Sequence, residues 1–199
     1  MWKNKTLVIA TLAIASLVMG FGVYDGTKPK HKQIDTRGQM TLGNKRSDVH
    51  VIVFLDFKCY ACKRFEEQIF PLLERRYIKT DKIAYTLIPI SFLSGSSHLL
   101  EGYYCTREQN RDASLTYISK TFDTQSLPVL EGIDREKLYE CLGSESASNY
   151  VDRNLDIAKQ AMGRTLETPT IFVNGYRVKE PSYTAVSNAI DQALSGDTL

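Results

Sequence analysis

The sequence predicts an α/β domain in which a β-α-β unit and a later β-β-α unit are separated by a block of helices. A β-like apolar run, Val49–Phe57, leads directly into a helical pattern, and a second β-like run, Lys82–Ile90, follows that pattern. Near the C-terminus a strand pattern turns at Asn174 and Gly175 and is followed by an amphipathic helix. Residues 91–163, between the two halves, contain helix-favouring runs separated by Gly, Pro and Ser.

The first half begins with a short strand, Gln39–Gly43. Val49–Phe57 is almost continuously apolar and β-branched, which is typical of a central strand buried on both faces. The helix after it has apolar residues at helical spacing, and Pro71 is expected to kink this helix rather than end it. The apolar positions are Phe65, Ile69, Leu72, Leu73 and Ile78. Lys82–Ile90 then completes the β-α-β unit.

The middle of the chain, about residues 91–163, is predicted to be a helical insertion. Its helix-favouring runs are His98–Glu108, Ser114–Phe122, Asp134–Leu142 and Ala147–Met162. After it, Thr168–Val173 and Tyr176–Val178 are predicted to form the last two strands, and Tyr183–Leu194 the closing helix.

The N-terminus predicts export. Lys3 and Lys5 precede an uncharged stretch, Thr6–Tyr24, that is typical of the apolar region of a secretory signal. Its length is close to the roughly 20 residues that span a bilayer. Residues 1–24 are therefore predicted to be a signal peptide or an uncleaved membrane anchor. Residues 25–38 are polar and contain a proline, which predicts a tether before a domain at 39–199.

Cys59 and Cys62 are two residues apart in a C-x-x-C pattern at the start of the first helix. Cysteines with this spacing can close a small disulfide, and the unpaired N–H groups of a first helical turn favour the first sulfur as a thiolate. A zinc site would need a second close pair, but Cys105 and Cys141 are 36 positions apart, without histidines at ligand spacing. The pattern therefore predicts redox chemistry, with no metal and no cofactor.

Composition limits the remaining function classes. The 43% hydrophobic content suffices for an ordinary core, and the chain without its first two dozen residues has the size of one domain. A formal net charge of +2 is too small to indicate binding to nucleic acid. We expect a monomer, because no residues are left over for a separate dimerisation domain.

Three segments carry a resemblance to a known family. In chain order they are Met40–Gly43, Phe54–Cys62 and Glu167–Gly175. Together they resemble the DsbA-like thiol-disulfide oxidoreductases of the DsbA/DsbG/BdbD-like branch, over roughly residues 40–194. The resemblance is strongest to those members that carry an aspartate three residues before the first cysteine. Asp56 occupies that position. The resemblance implies a thioredoxin fold with a helical insertion between its βαβ and ββα halves.

The resemblance also implies roles for four residues. Cys59 matches the exposed nucleophile and Cys62 the buried resolving cysteine of the family. Thr168 and Pro169 match a loop whose cis proline lies against the sulfurs and leaves the neighbouring backbone free to pair with extended substrate. The alternative is a trans proline that only opens a strand.

Three neighbours of the cysteines are expected to modulate them. Tyr60 and Ala61 supply no imidazolium charge, in contrast to the Pro-His pair of the strongest oxidants in the family, so a weaker oxidant or a reductant is also compatible with the sequence. Asp56 has two interpretations: it accepts a proton from Cys62 through water, or it caps the backbone at the strand end.

Cys105 and Cys141 lie in separate predicted helices of the insertion. In an oxidising compartment, two remaining cysteines in one subdomain most often pair, and some relatives have a second bridge there. We favour a structural disulfide over a second redox relay, because neither cysteine has a C-x-x-C neighbour or a basic flank.

The expected function is that of an exported enzyme, a protein-disulfide oxidoreductase, in the periplasm or on the extracytoplasmic side of a bacterial inner membrane. Its expected partners are cysteine-containing exported proteins and a membrane redox protein that resets the cysteine pair. The alternatives are a membrane-anchored reductant for one client, such as apocytochrome c, and a disulfide isomerase or reductase. A non-enzymatic binding module is a further class, which the intact C-x-x-C disfavours.

Overall fold

A five-stranded sheet lies at the centre of residues 31–196, the part of the chain that the computed structural model describes. The strands are β1 (Met40–Gly43), β2 (His50–Leu55), β3 (Ala84–Pro89), β4 (Thr170–Val173) and β5 (Tyr176–Arg177). Their order in the sheet is β1-β3-β2-β4-β5. The β2 and β3 strands are parallel, and the other neighbouring pairs are antiparallel. This arrangement confirms the predicted α/β class.

Helices cover the sheet and build the insertion. They are α1 (Tyr60–Gln68), α2 (Phe70–Leu73), α3 (Ser97–Gln109), α4 (Ala113–Thr124), α5 (Arg135–Cys141), α6 (Glu145–Met162) and α7 (Tyr183–Leu194). The four helices from α3 to α6 lie between β3 and β4, as predicted for the insertion. Among residues 31–196, no helix combines the length and the apolar character that a membrane crossing requires.

The central strand β2 is buried on both faces because its side chains alternate between two clusters. Val51 and Val53 belong to the larger cluster, which also contains apolar residues of α1 and α7. Ile52 and Phe54 belong to a second cluster with residues of α6. Close packing on both faces thus fixes the end of β2, which precedes Cys59.

The helical segment predicted after Cys59 continues past Pro71, but it is interrupted at Ile69. Ile69 interrupts it with φ −106°, although its N–H still donates to Phe65 at 2.9 Å. Pro71 then lies in the first turn of α2, where its missing N–H leaves no helical bond unmade. The helix ends in a π-helical turn, Glu74–Ile78, that the apolar spacing did not predict.

The turn between β4 and β5 is formed by Asn174 and Gly175, both with positive φ, as expected for this pair. A Cβ atom at Gly175 would collide with the backbone oxygen of Lys32. The N–H of Lys32 donates to the Gly175 backbone oxygen at 2.7 Å, so a residue in the middle of the predicted tether contacts the hairpin. The predicted signal or anchor, residues 1–24, lies outside the described residues.

Cys105 and Cys141 are joined by a disulfide between α3 and α5, with their Cα atoms 5.8 Å apart. Cys105 is buried with Ile133, Leu138 and Ala147 in a small apolar cluster within the insertion. This bridge ties the short helix α5 to the longer helix α3.

Candidate active site

Cys59 lies at the N-cap of α1, immediately after the turn that follows β2. Its N–H donates to the backbone carbonyl oxygen of Asp56 at 3.0 Å. Its own carbonyl accepts the first hydrogen bond of the helix, from Lys63 N at 3.1 Å. Its sulfur is therefore available at a helix N-terminus, where N–H groups and the helix dipole favour negative charge.

The loop before β4 meets this sulfur. Phe54 of β2 lies opposite Thr170 of β4, so the two residues before Thr170 reach the end of β2. The peptide bond between Thr168 and Pro169 is cis. Cys59 Sγ lies 3.2 Å from the carbonyl oxygen of Thr168, to which the protonated thiol donates a hydrogen bond. The structure thus brings Cys59, Cys62, Thr168 and Pro169 together from two distant parts of the chain.

Cys59 is a half-buried free thiol whose pKa is lowered to about 5. The main cause is a hydrogen bond from the Cys62 side chain, which stabilises the Cys59 thiolate. The Thr168 side chain and the backbone N–H groups of Cys62 and Ala61 lower the pKa further, while partial burial opposes them. Cys59 is therefore largely a thiolate at neutral pH. The thiolate is the form of cysteine that attacks disulfides.

Cys62 has the opposite character. It is a free thiol with only 1% of its surface exposed, and burial raises its pKa well above the ordinary range. Its hydrogen bond to Cys59 raises its pKa as well, because the proton is held between the two sulfurs. One reactive and one protonated sulfur are the combination that a dithiol needs to exchange a disulfide in two steps.

The carboxylate of Asp56 is fully buried and saturated with hydrogen-bond donors. The donors are Lys58 N at 2.8 Å, Phe92 N at 3.0 Å, Leu93 N at 3.1 Å and the Ser96 hydroxyl at 2.9 Å. The contacts thus match the backbone-capping interpretation of Asp56. They also join the cysteine turn to the segment that enters the insertion, a link that no local pattern indicates.

Comparisons with known proteins agree with this fold. The profile described as Thioredoxin matches residues 35–192. The chain belongs to the thioredoxin family. Within the family it is 28% identical over 172 residues to a putative protein-disulfide oxidoreductase of Rickettsia typhi, covering 80% of this chain and 63% of that relative's length. It is 27% identical over 182 residues to disulfide bond formation protein D of Bacillus subtilis, covering 82% of this chain and 81% of the relative.

Solved structures show the same thioredoxin-family fold. Oxidised BdbD from Bacillus subtilis superposes with a TM-score of 0.74 at 24% identity, covering 85% of this chain and all of that one. DsbA from Chlamydia trachomatis gives a TM-score of 0.73 at 21% identity, covering 86% of this chain and all of the other. The predicted likeness to DsbA-like proteins is confirmed by these relatives and structures.

In this thioredoxin-family chain, the dipeptide between the cysteines lies on the surface. Tyr60 is 73% exposed, and Ala61 is exposed as well. Tyr60 lines a cleft of about 300 Å³ together with Lys58, Lys63 and Gln125. An aromatic ring and two cations are therefore available beside the reactive sulfur to any chain that approaches it.

Two residues near the site were not predicted from the sequence. Glu66 lies one helical turn after Cys62, and its Oε2 is buried without a hydrogen-bond partner among the described residues. Burial, and then the charge of Glu74, raise the pKa of Glu66 to about 7. The four-residue spacing from Cys62 is a signal that could have found it. Gln125 belongs to the distant insertion, and no sequence signal links it to the cysteines.

The disulfide between Cys105 and Cys141 belongs to the core of the insertion and not to the Cys59 site. Within residues 31–196, no group of three or more His, Cys, Asp or Glu side chains is arranged to hold a metal ion.

Proposed function

We propose that this chain is a protein thiol-disulfide oxidoreductase that exchanges a Cys59–Cys62 disulfide with cysteines of exported proteins. The observation that carries the proposal is the pairing of a low-pKa, half-buried Cys59 with a buried, protonated Cys62 beside the cis Pro169 loop. The printed names of relatives, putative protein-disulfide oxidoreductase and disulfide bond formation protein D, support it.

In the oxidative direction, a substrate thiolate attacks Cys59 Sγ of the enzyme disulfide. The Cys59–Cys62 bond breaks, a mixed disulfide forms, and Cys62 leaves and takes up a proton, consistent with its raised pKa. A second substrate thiolate then attacks the substrate sulfur of the mixed disulfide. Cys59 leaves as a thiolate, two electrons have passed to the enzyme, and the substrate holds a disulfide. Because a low-pKa thiol leaves quickly, the lowered pKa of Cys59 favours this direction.

We place the enzyme on the extracytoplasmic side of a bacterial inner membrane, as a monomer reset by a membrane redox partner. Two features support this location. The N-terminal sequence has the pattern of an export signal or anchor. The bridge between Cys105 and Cys141 is of a kind that persists in oxidising compartments.

A reductant or isomerase is the second candidate, and the exposed Tyr60 and Ala61 favour it. Neither residue supplies the positive charge that a histidine between the cysteines would place near the Cys59 thiolate. A less stabilised thiolate would make the disulfide form a weaker oxidant.

The test is the oxidation of a reduced, unfolded protein that regains activity only when its disulfides form. We expect the oxidised chain to restore that activity and the Cys59→Ser variant to restore none. Given a disulfide-bonded protein instead, the Cys62→Ser variant should accumulate a mixed disulfide: the Cys59 thiolate attacks one substrate sulfur, the other leaves as a thiolate, and no resolving sulfur is present to release the substrate. Equal restoration by the chain and the Cys59→Ser variant would leave only a non-enzymatic binding role.

A further inference from the structure

Gln125 and the residues just before Cys59 are joined by two reciprocal hydrogen bonds. The Gln125 side-chain Nε2 donates to the carbonyl oxygen of Phe57 at 3.1 Å. In return, Lys58 Nζ donates to the backbone oxygen of Gln125 at 2.8 Å. Phe57 and Lys58 are the two residues that precede Cys59, so both bonds end on the turn that carries the reactive sulfur.

The backbone conformation at Gln125 is unusual for a glutamine. Gln125 follows the last residue of α4 with φ +54° and ψ +25°, in the left-handed region. Helices commonly end in this conformation, but glycine is the usual residue because a Cβ atom makes it unfavourable. Gln125 adopts this unfavourable conformation, and its side-chain amide donates hydrogen bonds that a glycine could not make.

The same part of the insertion also holds the Phe57 side chain. Its ring is fully buried and lies 5.6 Å from the ring of Phe122, and 6.0 Å from those of Tyr103 and Tyr117, measured between centroids. The ring and the carbonyl of Phe57 are thus both fixed by the insertion. Lys58 is fixed at both ends as well, since its N–H donates to Asp56.

We propose that Gln125 is a positioning residue for Cys59, and that through Phe57 and Lys58 it holds the turn that carries the reactive sulfur. The inference deepens the proposed function, on which it rests, by assigning part of the thiol chemistry to the helical insertion. A held turn keeps Cys59 Sγ near the N–H groups of Ala61 and Cys62, which stabilise its thiolate. A looser turn spends less time in that geometry, so the thiolate is stabilised less.

The test compares the reduced full chain with its Gln125→Gly variant. Glycine removes the amide bond to Phe57 but suits the left-handed conformation, so the urea midpoint of unfolding should change little or rise. The pKa of Cys59, followed by thiolate absorbance, should rise by about 0.5 to 1 pH unit. The potential of the cysteine pair should become more negative by about 15 to 30 mV, since a tenfold change in its equilibrium constant is about 30 mV.

Asp81→Gly is the matched control. Asp81 also has a positive φ, of +52°, and it lies outside the site, so this change relieves the same conformation without touching Phe57. It should leave the Cys59 titration unchanged.

A second pair of variants controls for charge. Lys58→Met and Lys63→Met each remove one cation of the Tyr60 cleft, but only Lys58 is bonded to Gln125. Lys58→Met should raise the pKa of Cys59 more than Lys63→Met.

A Cys59 titration and a potential that are the same in Gln125→Gly and the unchanged chain would overturn the proposal, and Gln125 would then only cap α4. Equal effects of the two lysine variants would also contradict it. The titration uses the reduced protein and needs no turnover. A chain that fails to oxidise substrate would therefore refute the proposed function, while the role of Gln125 would still be read from the titration.

Discussion

Cys59 and Cys62 are one helical turn apart, yet the pKa of Cys59 is lowered and that of Cys62 is raised. The difference arises from position: Cys59 lies at the open end of α1 among hydrogen-bond donors, whereas Cys62 points into the apolar core. The hydrogen bond between the two sulfurs increases the contrast, because one shared proton stabilises one thiolate. The pair therefore behaves as one nucleophile with a protonated neighbour.

Alkylation of the reduced protein tests this acidity. The rate of Cys59 modification should follow a titration with a midpoint near pH 5, because the lowered pKa sets the fraction of thiolate. In Cys62→Ala the strongest hydrogen bond to Cys59 is lost, so the midpoint should move to higher pH. A midpoint above pH 8 in the unchanged protein would contradict the account of the site.

Glu66 is the second residue whose charge is controlled by burial. Its pKa is raised from an ordinary value of 4.5 to about 7, first by burial and then by the charge of Glu74. Between these pH values the folded state keeps a proton that the unfolded state has lost. The stability of the fold should therefore fall as pH rises from about 4.5 to about 7, and stay lower above that window.

The variant Glu66→Gln cannot ionise and should lose this pH dependence. Near pH 5 its free energy of unfolding should be close to that of the unchanged chain, and at pH 8 it should be higher by up to about 3 kcal/mol. Urea unfolding at several pH values measures both. Glu67→Gln serves as control, because Glu67 is exposed and pairs with Lys63 at the surface. Parallel pH profiles for the unchanged chain and Glu66→Gln would show that Glu66 is not held protonated.

At the scale of elements, the turn between β2 and α1 is held by contacts to the insertion as well as by hydrogen bonds between its own residues. Asp56 receives two N–H donors, Phe92 and Leu93, from the segment that follows β3. Gln125 at the end of α4 holds the other side of the turn. The helices inserted between β3 and β4 are therefore part of the support of the cysteine pair.

Replacing Asp56 by Asn distinguishes this support from proton transfer. The amide offers one oxygen, and its NH₂ group would face N–H donors in a buried site. We expect a loss of about 2 to 4 kcal/mol in the free energy of unfolding, measured in urea. Asp48→Asn, at an exposed position, should change it by less than about 0.5 kcal/mol. Unchanged stability together with slow release of a mixed disulfide would favour the proton-acceptor role.

Sequence patterns identified the elements because most of them are local. The β-branched run of β2, the turn at Asn174 and Gly175, and the helix Tyr183–Leu194 all follow from the spacing of neighbouring residues. The π-helical turn Glu74–Ile78 was missed, since no residue spacing marks it. The hydrogen bonds of Asp56 to Phe92 and Leu93, and of Gln125 to Phe57, were not predicted. They join residues that are far apart in the sequence and that meet only in the folded chain.

At the scale of the whole molecule, a family resemblance and the packing contribute different information. The thioredoxin-family match accounts for the sheet order and the place of the cysteines at the end of β2. The oxidising or reducing strength depends on how strongly the Cys59 thiolate is stabilised, and that depends on side chains from α1, the Thr168 loop and the insertion. The lowered pKa of Cys59 leads us to expect an oxidant, although Tyr60 and Ala61 lack a cation.

The equilibrium reduction potential of the Cys59–Cys62 pair tests this expectation most directly. It is measured on the full chain by thiol trapping in graded glutathione buffers. The account predicts a potential less negative than about −200 mV, in the range of proteins that donate disulfides. A value near −270 mV, as in thioredoxin, would make the protein a reductant, and a pair that never closes would contradict the redox function itself.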